Sequence, residues 1–536
     1  MLMVKLYDTT LRDGSQGEGI SYSVMDKILI AEELDKIGVN FIEGGWPGSN
    51  PKDREFFLKV SKRKLKNSKI AAFSMTRRPN TLAEEDNNLK ALLKSNAQVI
   101  TIVGKTWDFH VTEVLKTTLD ENLEMIRDTV SFLVKKGFPV FYDAEHFFDA
   151  YKANKDYALK TLLSAKLAGA EAICLCDTNG GTLTSEITNV IGAIKNVIKS
   201  DLGIHCHNDA GVAIANTLAA VEAGVSIVQG TINGYGERCG NADLIPIIAN
   251  LKIKLKIDCI PDAKLKQLTH LSHFVSEISN MNKKNEQPFV GNSAFAHKGG
   301  MHINAIMKNP LSYEHVDPSL VGNRRRILVS ELGGKTGILL RAKELSYDLS
   351  KEDPQTKKIL ELVQSLEHKG FQFEAAEASF QILMQKALKK YKKFFELEGF
   401  KVVIEKRTDK KITSEAVIKL KVKGIPEHTA AEGDGPINAL DNALRKALKN
   451  FYPTLAKMHL SDFKVRVLDE KAGTAAKVRV LIQSQDEQDI WSTIGVSENI
   501  IEASWQALVD SVEYKLLKDQ QQALIQKNPC EQHKQG

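Results

Sequence analysis

The sequence predicts an α/β fold: a (β/α)8 TIM barrel followed by a helical subdomain and a C-terminal α+β domain. Three observations support this order. From the N-terminus to about residue 260, short apolar runs alternate with helical stretches. Residues 261–395 are mostly helical in pattern, and residues 396–520 return to alternating strands. A chain of 536 residues is too long for one ordinary domain, so two or three globular units are expected.

Eight apolar runs in the first part predict the strands of the barrel. They are VKLYDTTLRDG, VNFIEGGWP, KIAAFSMTRR, AQVITIVGKT, FPVFYDAEHF, AEAICLCDTNGG, LGIHCHND and VSIVQGTINGYGERCGN. Amphipathic segments such as residues 24–38 and 122–137 lie between them, and each ends in a glycine suited to a helix C-cap. Eight βα units favour a closed barrel over an open doubly wound sheet, because no G-x-G-x-x-G follows the first run.

Composition argues against several classes of protein. Lysine and arginine total 73 against 67 for aspartate and glutamate, and the net charge of +6 without a long basic block disfavours nucleic acid as the main partner. No run of about 18 apolar residues occurs, and the start MLMVKLYDTTLRDG becomes polar too early for a signal peptide. The cysteines form no C-x-x-C pair, which fits reduced thiols in a cytosol. We therefore expect a cytoplasmic protein without membrane contacts.

Polar side chains cluster at the carboxyl ends of the predicted strands, where the βα loops of a parallel barrel build the active site. These candidates are Arg12, Asp13, Gln16, Glu43, Glu145, Thr178, His205, His207 and Asn241. They form one concentrated set, so the barrel mouth is the predicted functional site.

A metal site is predicted from four of these residues. His205 and His207 are two apart on an extended segment, so both imidazoles point to one face while Cys206 points to the other. Asp13 and Asn241 complete the set, because the first and last strands of a closed barrel are neighbours. Nitrogen and oxygen donors together suit Mn, Mg, Co or Zn, with open positions for substrate oxygens. An H-x-H pattern alone also occurs without a metal.

Two further residues add chemistry, and each has a structural alternative. Arg12 could stabilise a developing enolate or alkoxide oxygen, or form a structural ion pair at the barrel mouth. Glu145 could act as a general base beside the apolar Phe147 and Phe148, or have only a structural role. Cys174 and Cys176 share one face of a buried strand and are interpreted as core residues.

Three motifs, DTTLRDGSQ, HCHND and GNAD, together resemble the metal-dependent pyruvate-carboxylase-like barrels. That group includes the isopropylmalate, homocitrate and citramalate synthases and hydroxymethylglutaryl-CoA lyase. Residues 295–323 resemble the helical subdomain that follows the barrel in the synthases and that the lyase lacks. Within the synthases, IEGGWPGSNPKD, DAEHFFD and the extension after residue 396 are most similar to the long-form (R)-citramalate synthases. Asp143 departs from the family pattern, in which a larger or apolar residue is common.

The resemblance implies a role for each matching residue. Four would hold the divalent metal ion: Asp13, His205, His207 and Asn241. Three would bind substrate: Arg12, Gln16 and Thr178. Four would act in catalysis: Arg12, Glu145, His302 and Tyr313. The last two would reach the barrel of a partner subunit, which implies a homodimer.

The implied reaction is that of an acyltransferase. Acetyl-CoA, pyruvate and water would give (R)-citramalate and CoA by Claisen-type addition and thioester hydrolysis, a step of isoleucine biosynthesis. One alternative is a 2-isopropylmalate synthase acting on 2-oxoisovalerate in leucine biosynthesis. Others are a lyase running the reverse cleavage, against which residues 261–536 argue, and a non-catalytic amino-acid sensor whose barrel is vestigial.

The last part of the chain predicts an α+β module with an internal repeat. Its strands are FKVVIEKR, EAVIKLKVKG, DFKVRVLD, AKVRVLIQSQ and WSTIGVS, with helices at residues 433–448 and 495–512. Each helix follows a glycine-bearing turn, and Pro436 suits a first helical position. The resemblance implies a regulatory domain with isoleucine as the expected effector and leucine as the runner-up; a purely dimer-forming role is the alternative. Residues 521–536 are predicted to form a frayed polar tail.

Overall fold

The computed structural model describes residues 3–328, 338–340, 342, 349–350, 353–406, 408, 412–468, 476–487 and 489–527. The chain divides into two compact units. The first comprises Met1–Phe295 and His315–Arg325, and the second comprises Ala296–Glu314 and Arg326–Gly536. The predicted domain boundaries near residues 260, 395 and 520 stay a prediction. Among the described residues, no helix combines the length and the apolar character needed to cross a membrane.

Eight parallel strands close into a barrel in the first unit. They are β1 (Lys5–Asp8), β2 (Phe41–Gly45), β3 (Lys69–Met75), β4 (Val99–Lys105), β5 (Val140–Glu145), β6 (Ala172–Asp177), β7 (Asp201–Cys206) and β8 (Ile227–Gly230). Each strand pairs with the next one in the chain, and β1 pairs with β8. The predicted (β/α)8 barrel is therefore confirmed.

The helices of the first unit lie between and after these strands. They are α1 (Val24–Ile37), α2 (Pro51–Val60), α3 (Asn87–Leu93), α4 (Leu119–Lys135), α5 (Phe147–Ala153), α6 (Lys155–Leu167), α7 (Thr184–Ile198), α8 (Ala213–Glu222), α9 (Leu244–Ala249), α10 (Asp262–Leu265) and α11 (Leu268–Ile278). The helices predicted over residues 24–38 and 122–137 are confirmed as α1 and α4. Gly38 ends α1 with a φ of 98°, a left-handed conformation that glycine adopts without strain.

A layer of apolar side chains fills the barrel interior. It consists of Tyr7, Phe41, Ala71, Val99, Phe141, Ala172 and Ile227, all buried. Because this layer occupies the centre of the barrel, a substrate can meet the strands only at one of their ends. Cys174 and Cys176 are buried as predicted.

The second unit begins with short elements. Strands β9 (Ala296–His297) and β10 (Arg326–Ile327) pair in parallel. The helices are α12 (Gly300–Lys308), α13 (Pro354–His368) and α14 (Glu377–Ala387). Phe380 and Met384 of α14 are buried in an apolar cluster, so the aromatic and aliphatic stripe of this segment is core, as predicted.

Two three-stranded antiparallel sheets, each followed by a helix, form the end of the chain. The first copy comprises β11 (Glu396–Glu405), β12 (Thr413–Val422), β13 (Ile425–Gly433) and α15 (Pro436–Leu448). The second comprises β14 (His459–Val467), β15 (Val478–Gln485), β16 (Ile490–Ser497) and α16 (Ile500–Lys527). This arrangement matches the predicted α+β repeat.

Two details differ from the sequence prediction. Strand β13 was not predicted, because IPEHTAAEG has few β-branched or aromatic residues; its pairing with β12 along its whole length supplies what propensity does not. Helix α16 runs well beyond residue 512, to Lys527. The rest of the predicted polar tail, residues 528–536, lies outside the described residues.

Candidate active site

Three buried side chains converge at the carboxyl ends of the barrel strands. The Nε2 atoms of His205 and His207 lie 3.3 Å and 3.8 Å from Oδ2 of Asp13. One ligand atom from each of the three residues lies within 4.8 Å of the other two. Cys206 packs instead in the apolar core outside the barrel, as the alternation of a strand requires. The predicted pairing of the two histidines with Asp13 is therefore present as a possible metal site.

Asn241 lies next to this group through a short antiparallel bridge with His207. Its Nδ2 donates to the carbonyl oxygen of Tyr235 at 3.1 Å, while its Oδ1 is buried and has no hydrogen-bond partner in the described part of the chain. A buried amide oxygen without a partner costs free energy unless something binds it. Carboxylate, imidazole and amide donors together fit a divalent cation.

A chain of hydrogen bonds fixes the orientation of His205. Gln229 Nε2 donates to Asp143 Oδ1 at 2.9 Å, so Gln229 Oε1 faces Nδ1 of His205 at 3.1 Å and accepts from it. This places the proton on Nδ1 and leaves Nε2 as the free ligand atom. Burial lowers the pKa of His207 to about 4, which keeps its imidazole in the neutral, metal-binding form.

Arg12 is held between a carboxylate and an aromatic ring. Its Nε donates to Glu43 Oε2 at 2.5 Å, and its guanidinium carbon lies 4.1 Å from the centre of the Phe73 ring. Glu43 is fully buried and also accepts from the hydroxyl of Tyr7 at 2.8 Å. Burial opposes the charge on Asp13, but the Arg12 guanidinium holds the pKa of that carboxyl well below its usual range. The ion pair and the catalytic interpretation of Arg12 are thus compatible, because the pair fixes the guanidinium at the mouth.

Glu145 and Thr178 occupy neighbouring strand ends. The Glu145 carboxylate pairs with Nζ of Lys105, at the end of β4. The hydroxyl oxygen of Thr178 accepts from the backbone N–H of His146 at 2.9 Å, which leaves its own proton free to donate elsewhere. His146 adopts a left-handed conformation with a φ of 57°. Few residues other than glycine adopt this conformation, and those that do are often found at functional sites. Phe147 and Phe148 are buried beside this end.

Most of the predicted site residues line one cavity of about 290 Å³. Its lining includes Arg12, Asp13, Gln16, Glu145, Thr178, His205 and His207. Trp46, Phe73, Met75 and Val103 supply an apolar wall. A second cavity of about 680 Å³ shares Arg12, Gln16 and Trp46 with it.

His302 and Tyr313 belong to the second unit and are described within it. Their rings stack, with centroids 4.0 Å apart and planes at 27°. Both side chains are exposed, and Met301, Met307 and Leu311 beside them are exposed as well. The two predicted residues therefore form one exposed aromatic pair, with exposed apolar side chains close by in the sequence.

Three site residues were not predicted from the sequence. They are Lys105, Gln229 and Arg238, whose guanidinium donates to the carbonyl oxygen of Thr178 at 2.7 Å. Gln229 could have been found from the sequence, because it is a polar residue at an inward-facing position of the apolar run VSIVQG. Lys105 ends the fourth run, and nothing in the sequence ties it to Glu145.

A further group, Asp143, Cys174 and Cys176, also brings its ligand atoms within 4.8 Å of one another. All three residues are buried. Burial raises the pKa of the Cys174 thiol well above its ordinary value, so this thiol stays protonated and poorly suited to a metal. The group agrees with the core interpretation of both cysteines.

Comparisons with known proteins agree with this geometry. The HMGL-like family matches residues 3–275, the homocitrate synthase post-HMGL domain-like family matches residues 289–370, and the LeuA allosteric (dimerisation) domain family matches residues 374–516. An (R)-citramalate synthase of Geobacter sulfurreducens is 56% identical over 97% of this chain and 99% of its own. One of Aquifex aeolicus is 52% identical over 97% and 99%. A 2-isopropylmalate synthase of Methanocaldococcus jannaschii is 30% identical over 96% and 95%. The chain therefore belongs to the HMGL-like family and, within it, to the (R)-citramalate synthases.

Proposed function

We propose that this protein is an acyltransferase that condenses acetyl-CoA with pyruvate and water to (R)-citramalate and CoA. The observation that carries the proposal is the convergence in one cavity of a carboxylate–imidazole donor set, a fixed guanidinium and an apolar wall. In the reaction, the acetyl methyl group loses a proton and its carbon forms a bond to the ketone carbon of pyruvate. Water then cleaves the thioester, and the sulfur leaves as the CoA thiol.

The cavity suits a small 2-oxo acid. Arg12 would donate to the ketone oxygen as negative charge develops on it. Thr178, with its hydroxyl proton free, would donate to the substrate carboxylate. Phe73 and Met75 belong to the apolar part of the lining and would contact the methyl group of pyruvate. The larger adjoining cavity, with Gln16 and Lys52 in its lining, offers room for the anionic arm of acetyl-CoA.

Asp13, His205, His207 and Asn241 would hold the divalent ion, whether Mn, Mg, Co or Zn. Such an ion supplies Lewis acidity toward the carboxylate and ketone oxygens of a 2-oxo acid. Gln229 and Asp143 would keep His205 in the tautomer that binds it.

Proton transfer is assigned to groups around the cavity. Glu145 would act as a base, and Lys105 would hold its carboxylate in place. His302 and Tyr313 would reach the barrel of a second copy of the chain in a homodimer. The exposure of nearby apolar side chains supports this part of the proposal. Met301 is 80% and Leu311 is 78% exposed, and exposed apolar side chains that lie together mark sites of subunit contact.

Residues 396–520 would regulate the enzyme. The support is that the LeuA allosteric domain family matches residues 374–516, and that the described residues of this part contain none of the metal-ligand groups found in the barrel. Isoleucine is the expected effector and leucine the runner-up.

A substrate panel tests the proposal. The rate of CoA release would be measured with pyruvate, 2-oxoisovalerate and 2-oxoglutarate at one concentration of acetyl-CoA. We expect the highest kcat/KM with pyruvate. Preference for 2-oxoisovalerate would replace the proposal with 2-isopropylmalate synthesis. No turnover with any of the three acids would favour a non-catalytic amino-acid sensor.

Subunit mixing tests whether His302 acts across a dimer. Arg12→Ala and His302→Ala proteins should each be nearly inactive alone. After subunit exchange, mixed dimers should regain part of the activity, because one of their two sites has both residues intact. No recovery, in a mixture whose exchange is verified by mass, would place both residues of a site in one chain.

A further inference from the structure

The segment that carries His302 and Tyr313 contains a second, buried pair of side chains that the proposed chemistry does not use. Nε2 of His297 lies 3.1 Å from Oε1 of Glu314. The His297 side chain is 11% exposed and the Glu314 side chain 2%, although Tyr313, the preceding residue, is 47% exposed. Because a carboxylate only accepts hydrogen bonds, Nε2 of His297 carries a proton and donates to Glu314.

This hydrogen bond closes the base of a short loop. The chain leaves His297, forms α12 and a turn, and reaches Glu314 17 positions later. Within the loop, the rings of His302 and Tyr313 stack with their centroids 4.0 Å apart. The loop is therefore held together at two points, once by the buried pair and once by the two rings proposed for proton transfer.

His297 is fixed by its backbone. It pairs with Ile327 in the parallel ladder of β9 and β10, and its carbonyl oxygen accepts from the backbone N–H of Leu328 at 2.9 Å. The imidazole is thus attached to a strand, and its hydrogen bond fixes the position of Glu314 relative to that strand.

The turn that ends at Glu314 has internal hydrogen bonds of its own. The backbone N–H groups of Tyr313 and Glu314 donate to the carbonyl oxygen of Pro310 at 3.2 Å and 3.0 Å. The side-chain oxygen of Asn309 accepts from the N–H of Leu311 at 3.0 Å. Because these bonds restrict the turn, the position of Glu314 determines where the exposed ring of Tyr313 lies.

We propose that His297 and Glu314 are positioning residues. Their hydrogen bond holds the turn so that Tyr313 stays stacked on His302, and both rings meet the substrate as one unit. A displacement of about 1 Å in a catalytic group can lower the rate about 10²-fold, so a bond that touches no substrate can still control turnover. The inference deepens the proposed function, and rests on it for the claim that His302 and Tyr313 act in proton transfer.

Steady-state kinetics of single variants test this role. Glu314→Leu and His297→Leu each remove one side of the bond and should lower kcat about 10- to 100-fold. The KM for pyruvate and the metal content should stay within about threefold of wild type, because both depend on barrel residues. Glu314→Gln keeps an oxygen that accepts from His297, so its kcat should stay within about threefold of wild type.

The double variant tests whether the two residues act through one bond. His297→Leu combined with Glu314→Leu should lose no more kcat than either single variant, because the first substitution already removes the bond. Losses that multiply would overturn the proposal, since they would show two independent effects.

Hydrogen–deuterium exchange tests the position of the turn without any substrate. Amides of residues 309–314 should exchange about tenfold faster in Glu314→Leu, because the turn opens more often, while peptides from the barrel strands stay unchanged. This measurement remains decisive for the loop if the proposed reaction fails. Lys298→Met is the matched control: Lys298 follows His297 but pairs with Glu374 at 2.8 Å, outside the loop, and its loss should change neither exchange nor kcat.

If Glu314→Leu alters the circular dichroism spectrum, His297→Leu decides. Wild-type kcat in the leucine variants, or wild-type exchange at residues 309–314, would overturn the proposal. A joint change of kcat, the KM for pyruvate and metal content would also overturn it, because that pattern indicates a general loss of folding.

Discussion

Replacing Gln229 with leucine would test how much the hydrogen bonds that orient His205 contribute to metal affinity. Gln229 is 1% exposed and joins His205 to Asp143 by hydrogen bonds of 3.1 Å and 2.9 Å. Leucine keeps the approximate volume but accepts no proton from His205. Nδ1 then loses its partner, and the ring is free to change tautomer and rotate.

The expected loss of metal affinity is about 10- to 100-fold, which corresponds to about 1.4–2.7 kcal/mol. Leaving the buried His205 N–H and Asp143 carboxyl without a partner should also lower the free energy of unfolding, by about 1–3 kcal/mol for each group. Activity should return toward the wild-type level at saturating metal, because none of the proposed ligands is removed.

The assay is competition between the protein and a fluorescent chelator for Mn²⁺, Co²⁺ or Zn²⁺. Asn216→Leu is the matched control: Asn216 is 1% exposed and donates to the carbonyl oxygen of Thr182 at 2.7 Å, away from the proposed ligands. It should lose stability but keep its metal affinity. Equal affinity in wild type and Gln229→Leu would refute the role of this hydrogen-bond chain.

Three further changes have defined outcomes. Arg12→Ala should lower kcat about 10²- to 10³-fold with unchanged metal content by elemental analysis, because Arg12 acts on developing charge; normal turnover would remove it from catalysis. Lys27→Met should lower the free energy of unfolding by about 3–5 kcal/mol in urea titrations, since it leaves Asp53, bonded to it at 2.6 Å, as an unpaired buried charge; a loss under about 1 kcal/mol would contradict this. Burial raises the pKa of Asp8 to about 7. The free energy of unfolding of the wild type, relative to that of Asp8→Asn, should therefore be highest below about pH 4 and should fall by about 1.4 kcal/mol per pH unit up to about pH 7. A difference that does not change with pH would contradict this.

The barrel and the shared face of His205 and His207 were predictable because their signals are local. Eight runs with polar ends predict eight strands, and the H-x-H spacing alone places two imidazoles on one face of a strand. The hydrogen-bond partners of the candidate ligands were not predictable. Gln229 and Asp143 are 86 positions apart in the chain, and only closure of the barrel brings them together.

The same limit applies to Glu145 and β13. The sequence favoured apolar surroundings for Glu145, but the register of β4 against β5 sets Lys105 directly beside it. Strand β13 is extended because β12 offers it a complete ladder of hydrogen bonds, which no property of IPEHTAAEG reveals. Pairing across strands, rather than propensity, determines both features.

The product formed from acetyl-CoA and ¹³C-labelled pyruvate tests the central claim most directly. The metal-reconstituted protein would be incubated with both substrates, and the labelled acid would be identified by NMR and chiral chromatography. We predict (R)-citramalate in an amount equal to the CoA released, and none from protein stripped of metal or from Asp13→Ala. Release of CoA without a new carbon–carbon bond, or equal product from the stripped protein, would contradict the account.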